Sequence, residues 1–199
     1  MKCSNCRFDH SICLCHQVTP LSTNYRLSVV MNLSEFFKLS NSGRLLPLLF
    51  KNTQIFIRGL RHNPLRWPLQ ENHKPIEKAY ILFPNQQALC VDDISIEKNA
   101  NIIIPDGNWS QAAKITNRLL KIKGMQTITF KSTKGSRYLL RKNPDANRLC
   151  TLQASAILMA QLDRDATIEQ NANKLLDRLN HNVMSLRGIK KICGAKRGT

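Results

Sequence analysis

Acidic side chains are scarce in this sequence: 13 Asp and Glu stand against 30 Lys and Arg in 199 residues, a formal net charge of +17. Such an imbalance disfavours a cationic partner and concentrates polyanions around the molecule. Each phosphate it neutralises releases condensed counterions, which favours nucleic-acid binding. Also missing is any uninterrupted apolar run near the roughly 20 residues that cross a bilayer. The start, Met1-Lys2-Cys3-Ser4-Asn5-Cys6, lacks the apolar core of a signal peptide. No internal repeat is visible. These absences lead us to expect a cytoplasmic protein with no membrane association. The plainer alternatives are a basic protein whose charge only solubilises it, or one drawn to an anionic membrane surface.

The charge is uneven. Between Ala112 and Leu162 lie ten basic residues (Lys114, Arg118, Lys121, Lys123, Lys131, Lys134, Arg137, Arg141, Lys142 and Arg148) and one acid, Asp145. Residues 180–199 hold five basic residues and no acid, whereas residues 163–179 are nearly balanced. A basic middle and a basic tail suit a surface that follows a phosphate backbone, and RNA is the expected partner.

A hydrophobic content of 42% in 199 residues suffices for one core with a small appendage. Residues 25–31 (YRLSVVM), 54–57, 79–83, 101–104 and 126–130 read as strands, two of them stopped at Pro84 and Pro105. Residues 43–51 suggest a helix, with Pro47 against it. Asn108 followed by Gln111 has capping-box spacing, Ile115, Leu119 and Ile122 share a face, and Gly124 is a natural stop. Two further helices are predicted near residues 149–162 and 168–184. Alternating strands and helices predict an α/β fold with a mostly parallel sheet flanked by helices. Residues 61–78, with three prolines, read as a long loop.

Seven cysteines are more than a cytoplasmic chain uses for disulfides. Four of them, Cys3, Cys6, Cys13 and Cys15, form C-x2-C-x6-C-x-C. Two close thiol pairs complete a tetrahedral zinc shell, and four thiolates leave no open position, so the site is expected to be structural. His10 and His16 are substitute ligands. Cys90, Cys150 and Cys193 are too scattered for a second site. Residues 1–20 are therefore expected as a separate zinc-binding segment and residues 186–199 as a basic tail.

Pro105-Asp106-Gly107-Asn108-Trp109-Ser110-Gln111-Ala112 lies where a strand ends and a helix begins. Ligands of open α/β sheets bind at the carboxyl ends of strands. Gly107 permits close approach to the backbone, and the helix start offers free N–H groups. Asp106 is placed to act as a base or a polar anchor, or only to organise the turn. Trp109 is placed to stack on a base, to wall off a pocket, or to fill the core.

This block resembles the signature of the DTW-domain family, Asp-x-Thr-Trp followed by a Gln-Ala helix start. Other motifs match in order: the N-terminal cysteines, Asn41-Ser42-Gly43-Arg44-Leu45, Leu82-Phe83-Pro84, Tyr138-Leu139-Leu140-Arg141-Lys142 and Cys150-Thr151-Leu152-Gln153-Ala154. The resemblance spans about residues 3–162. It implies a fold related to the knotted SPOUT methyltransferases, with a C-terminal trefoil knot in a catalytic domain over residues 21–185. The implied activity is that of a tRNA-uridine aminocarboxypropyltransferase. Such an enzyme moves the 3-amino-3-carboxypropyl group of S-adenosylmethionine to N3 of a uridine, in bacteria typically in the tRNA variable loop, and releases methylthioadenosine.

On that reading Asp106 is the base and Trp109 its companion in catalysis. The donor pocket takes Leu82, Phe83, Pro84, Asp106, Gly107, Asn108, Arg141, Leu149, Thr151 and Gln153. Arg44 or Arg141 pairs with the donor carboxylate as a bidentate fork, and Arg44, Lys114, Arg118, Lys134, Arg137, Arg141 and Lys142 face tRNA. Three departures from the family pattern stand out. Asn108 replaces Thr, Gln153 replaces Glu, and Met31-Asn32-Leu33-Ser34 stands where His-Pro is usual. The alternatives are a SPOUT-type RNA methyltransferase and a non-catalytic zinc-bearing tRNA-binding protein. Monomer and homodimer both remain open.

Overall fold

The computed structural model describes residues 1–59, 70–71, 74–75, 79–131, 135–140 and 148–188. Two strands have apolar centres, at residues 29–31 and 102–104. β1 (Arg26–Asn32) buries its five inner positions and β7 (Asn101–Asp106) buries all six. Strands buried on both faces belong at the centre of a parallel sheet. Between and around them come α1 (Leu33–Phe36), a 3-10 turn Gly43–Leu45 running into α2 (Leu46–Leu49), β2 (Thr53–Arg58), the short antiparallel pair β3 (Gln70–Glu71) and β4 (Lys74–Pro75), β5 (Ala79–Leu82), β6 (Leu89–Cys90), α3 (Trp109–Leu119), β8 (Met125–Thr129), α4 (Thr151–Asp163) and α5 (Thr167–Leu186). The main sheet runs β2-β1-β7-β5-β8-β6, and every pairing in it is parallel.

The two-residue period of the strands splits the core into two layers. Val29, Met31, Ile102, Ile104 and Leu82 face the layer of α2, α4 and α5. Val30, Ile103 and Ile81 face Ala112, Ile115 and Leu119 of α3. The α4 sequence is apolar around most of its circumference, with Leu152 and Ser155–Ala160 buried. Such a helix has no polar face to turn to water and belongs between two layers; α4 packs on both β7 and α5. The last helix is one-sided: Ile168, Ala172, Leu175, Leu176, Leu179 and Val183 are its buried stripe.

The expected strands and the three long helices are all present, within a few residues of their predicted ends. Residues 43–51 form a 3-10 turn and one short helical turn because Pro47 sits in the first turn, where its missing N–H costs nothing, and the chain becomes extended at Phe50. The cysteine segment is no loose appendage: Phe8 and Leu14 are 1% exposed and sit in the main core. Most of the 61–78 loop and of the basic tail lies outside the described residues. No helix among the described residues is long and apolar enough to cross a membrane.

Leu158, fully buried in α4, tests this arrangement. Leu158→Ala is expected to lower unfolding stability by about 2–5 kcal/mol. Chemical denaturation should show a lower midpoint with an unchanged slope.

Candidate active site and metal centre

Asp106 closes β7 at its carboxyl end and is 2% exposed. Burying a carboxylate is costly unless donors meet it, and here they come from two other segments. Asn41 Nδ2 donates to Oδ2 at 2.5 Å and Thr151 Oγ1 donates to Oδ1 at 2.5 Å. Gly43 lies so close that a Cβ there would stand 2.4 Å from Oδ1, so any side chain at position 43 displaces the carboxylate. The loop around Gly43 is tied down further. Asn41 Oδ1 accepts the Arg44 N–H at 2.8 Å, Ser42 Oγ accepts the Leu152 N–H at 3.4 Å, and the Tyr138 hydroxyl donates to the Ser40 carbonyl.

Trp109 starts α3 beside this carboxylate. It is 48% exposed and packs on Phe83 with ring centroids 4.9 Å apart, while the Arg148 guanidinium lies 5.0 Å over its ring. The result is an open aromatic wall with a cation on it, a surface suited to a flat heterocycle. Thus Phe83 from the end of β5, Asp106 and Trp109 from the end of β7, and Thr151 from the start of α4 meet at one sheet edge.

The four cysteines meet at the other feature of the molecule. Their sulfurs all lie within 4.8 Å of one another, with Cys3–Cys15 and Cys6–Cys13 each 3.5 Å apart. Four thiolates about 2.3 Å from a tetrahedral zinc stand roughly 3.8 Å apart, so the set fits such an ion. Neither His10 nor His16 belongs to the group. The backbone N–H groups of Cys6 and then Asn5 pull the Cys3 thiol down to about 6, while burial and the Cys3 sulfur push the Cys15 thiol far up. The Leu14 N–H donates to Cys6 Sγ at 3.4 Å, the kind of bond that orients a metal-bound thiolate.

A family model described as the DTW domain matches residues 1–184. The chain belongs to the DTW-domain family. Among curated proteins it is similar to "tRNA-uridine aminocarboxypropyltransferase 2" of Macaca fascicularis, 24% identical over 184 residues that cover 89% of this chain and 62% of the relative. The protein of the same name from Mus musculus is 22% identical with the same coverage. The chain therefore spans less than two thirds of the length of these relatives. No solved structure gives a significant match.

Two departures from the DTW pattern have clear structural consequences. Asn108 makes a complete capping box: its Oδ1 accepts the Gln111 N–H at 2.9 Å, and Gln111 Oε1 accepts the Asn108 N–H at 2.8 Å. Gln153, 5% exposed, uses both ends of its amide. Its Oε1 accepts the Arg137 N–H at 3.1 Å and its Nε2 donates to the Gly135 carbonyl at 3.0 Å. Buried Asn180 grips the same strip, accepting from the Leu139 N–H and donating to the Arg137 carbonyl. Two amide side chains thus satisfy a strip of non-regular backbone, residues 135–140, and Gln153 serves as a clamp. A glutamate there would have nothing to donate to Gly135.

The structure corrects the surface position expected for Arg44. Arg44 is 3% exposed, because it follows the glycine that presses on Asp106 and its side chain is drawn under the cysteine segment. One Nη donates to the Leu39 carbonyl at 3.2 Å, the guanidinium lies 5.6 Å over Phe8, and Nε and the other Nη have no hydrogen-bond partner among the described residues. Burial lowers its pKa to about 10, against the opposing pull of the Cys6 thiolate. Four thiolates around a divalent ion would carry a net charge of −2, and Arg44 is a buried cation that feels Cys6 of that cluster.

Arg137 reaches the surface and pairs with Asp177 at 2.8 Å. Lys114 and Arg118 are exposed on α3. Lys134, Arg141 and Lys142 lie outside the described residues. Asn41 and Gly43 are not recognisable from sequence as neighbours of Asp106, although their motif is legible, and neither is Arg148 above Trp109.

Two outcomes are expected. The protein should carry one equivalent of zinc by elemental analysis, and Cys6→Ser or Cys13→Ser should lose it. At roughly 2–4 °C per kcal/mol for a chain of this size, a loss of about 3 kcal/mol would lower the melting midpoint by about 6–12 °C. Gln153→Glu should cost about 1–3 kcal/mol at neutral pH, since the Gly135 carbonyl loses its donor and a carboxylate is buried beside it. Burial raises the pKa of such a carboxyl in the folded state. The penalty should therefore shrink as pH falls and the protonated acid regains an O–H to donate, which denaturation at pH 7 and at acid pH would reveal.

Proposed function

We propose that this chain transfers the 3-amino-3-carboxypropyl group of S-adenosylmethionine to N3 of a tRNA uridine, in the variable loop, and releases methylthioadenosine. One observation carries the reading: three motifs far apart in sequence, at residues 41–45, 105–109 and 150–154, meet on the buried carboxylate of Asp106. The names of the relatives and the net positive charge agree with it. The SPOUT-related fold with its knot belongs to the same proposal, supported by the parallel sheet and by the gathering of strand-end loops at one edge. So do a cytoplasmic setting, which suits free thiols, and zinc as the ion of the cysteine site.

The chemistry follows from the groups at hand. Uridine N3 carries a proton and attacks poorly until it is lost. Asp106, fixed by Asn41 and Thr151, is the proposed acceptor of that proton. The N3 lone pair then forms a bond to the carbon next to sulfur, the carbon–sulfur bond breaks, and its electrons neutralise the sulfonium, so the leaving group is a neutral thioether. Because the sulfonium bears more than one electrophilic carbon, orientation decides which one is attacked. Phe83, Trp109 and Arg148 supply the wall against which a ring is held, and Leu82, Pro84, Gly107, Asn108, Leu149 and the clamped strip behind Gln153 shape the rest of the donor pocket. Cys3, Cys6, Cys13 and Cys15 would hold zinc, whose role would be structural, fixing the segment that sends Phe8 and Leu14 into the core.

Mass spectrometry of tRNA nucleosides, with and without the protein, tests the reading. Aminocarboxypropyluridine and methylthioadenosine are the expected products. S-adenosylhomocysteine in their place would make the protein a methyltransferase, and no mass change would make it a binding protein. Asp106→Ala is expected to abolish product while tRNA binding survives; persisting product would leave Asp106 as an anchor of the loop rather than the base.

A further inference from the structure

Arg58 ends β2, and its neighbours in the sheet fix where it stands. Asn32 pairs with Arg58 while Met31, one residue earlier on the same strand, pairs with Asp106. With strands about 4.8 Å apart, Arg58 sits on the same carboxyl edge as Asp106, two strands over and roughly 10 Å away. Its side of the sheet is different. Arg58 shares the parity of Phe56, which packs with the α3 layer, whereas Asp106 shares that of Ile102 and Ile104, which face α4. Facing Arg58 from α3 and the turn after it are Lys114, Asn117, Arg118 and Lys121, whose spacing sets them on one stripe of a helix. Together the five residues line a cleft of roughly 320 Å³.

Four cations and one amide converge there. Two ion pairs among the described residues, Lys38–Glu35 and Arg137–Asp177, lie elsewhere. Burial and then the positive charge of Arg118 hold Arg58 below its ordinary value. Like charges three and four residues apart on a helix repel one another, so the group is built at some expense to the fold, with no described carboxylate to relieve it. Each of the four is able to donate hydrogen bonds, three of them are exposed on α3 and its following turn, and Asn117 adds an amide. That donor set is matched by a phosphodiester backbone.

We infer that this cleft grips the phosphate backbone of the RNA substrate on the α3 face, so that the target base must turn over the carboxyl edge of the sheet to reach Asp106. The identity of the RNA as tRNA rests on the function proposed above; the cleft itself does not.

The test is the salt dependence of tRNA binding to the full chain. Arg58→Gln/Lys121→Gln is compared with Lys51→Gln/Lys98→Gln, which removes the same charge at positions just before β2 and just before β7, toward the amino edge of the sheet. Each phosphate contact contributes about 0.7–0.9 to the slope of log K against log salt. The cleft pair should therefore flatten the slope by about 1.4–1.8, and the control pair should leave it unchanged. Arg58→Lys, which keeps the charge, should keep the slope, and this separates lost charge from a disturbed fold. Equal flattening in both pairs would reduce the effect to bulk charge and overturn the inference. An unchanged slope in the cleft pair would also overturn it, as would an intact slope with lost binding to phosphatidylserine vesicles, which would make the cleft a membrane contact. If the slopes separate as expected but the wild-type protein yields no modified uridine, the proposed reaction falls and the cleft stands as an RNA site.

Discussion

A buried carboxylate organises one end of this molecule. Asp106 is out of water, and a charge so placed must be met by donors whose positions are as fixed as its own. Asn41 and Thr151 meet it from opposite directions in the sequence. Asn41 in turn accepts the Arg44 N–H, Ser42 accepts the Leu152 N–H, and Gly43 must stay a glycine to leave room. The loop before α2, the end of β7 and the start of α4 are therefore one unit. Moving any of them strands a buried polar group, which is dearer than the bond that held it.

The cysteine segment joins the same unit from behind. Phe8 packs under the Arg44 guanidinium, and Arg44 directly follows the glycine that presses on Asp106. A guanidinium buried with two unpartnered donors is tolerable only beside negative charge, and Cys6 of the cysteine cluster is the group whose charge favours it. The segment also takes part in the hydrophobic core through Leu14 and Phe8. Its sulfurs and the sheet edge are thus linked through Arg44 and Asn41, even though they share no side chain.

How much of this could be read from the sequence depends on the range of the interaction involved. The capping box at Asn108 and Gln111 is local and is legible in four consecutive letters. The strands at 25–31 and 101–104 are legible because burial on both faces gives each a run of consecutive apolar residues, at 29–31 and 102–104. The cysteine cluster is legible from spacing alone. Arg44 is not, since nothing in a basic residue after a glycine says that Phe8 and the cysteines, some 36 residues earlier, will cover it. Gln153 reads as the loss of a charge when only its type is compared; its use of both amide ends needs the path of residues 135–140. The two-residue strand β6 leaves no period to detect, and Pro47 turns a plausible helix into a 3-10 turn and one short helical turn.

Register and parity account for the most consequential thing hidden from the sequence. Lys114, Arg118 and Lys121 are legible as part of a basic stretch suited to phosphates, but Arg58 looks like any strand end until the β2-β1-β7 order brings it to the edge that holds Asp106. The same parity that sends Asp106 toward α4 sends Arg58 toward α3, so the positive cleft and the carboxylate share an edge but not a face. An anionic strand held by the cleft keeps its phosphates away from a negative carboxylate and presents only a base to it. Burying both charges on one face would have set the grip against the chemistry; a parallel sheet with helices on both sides separates them by the thickness of one strand layer.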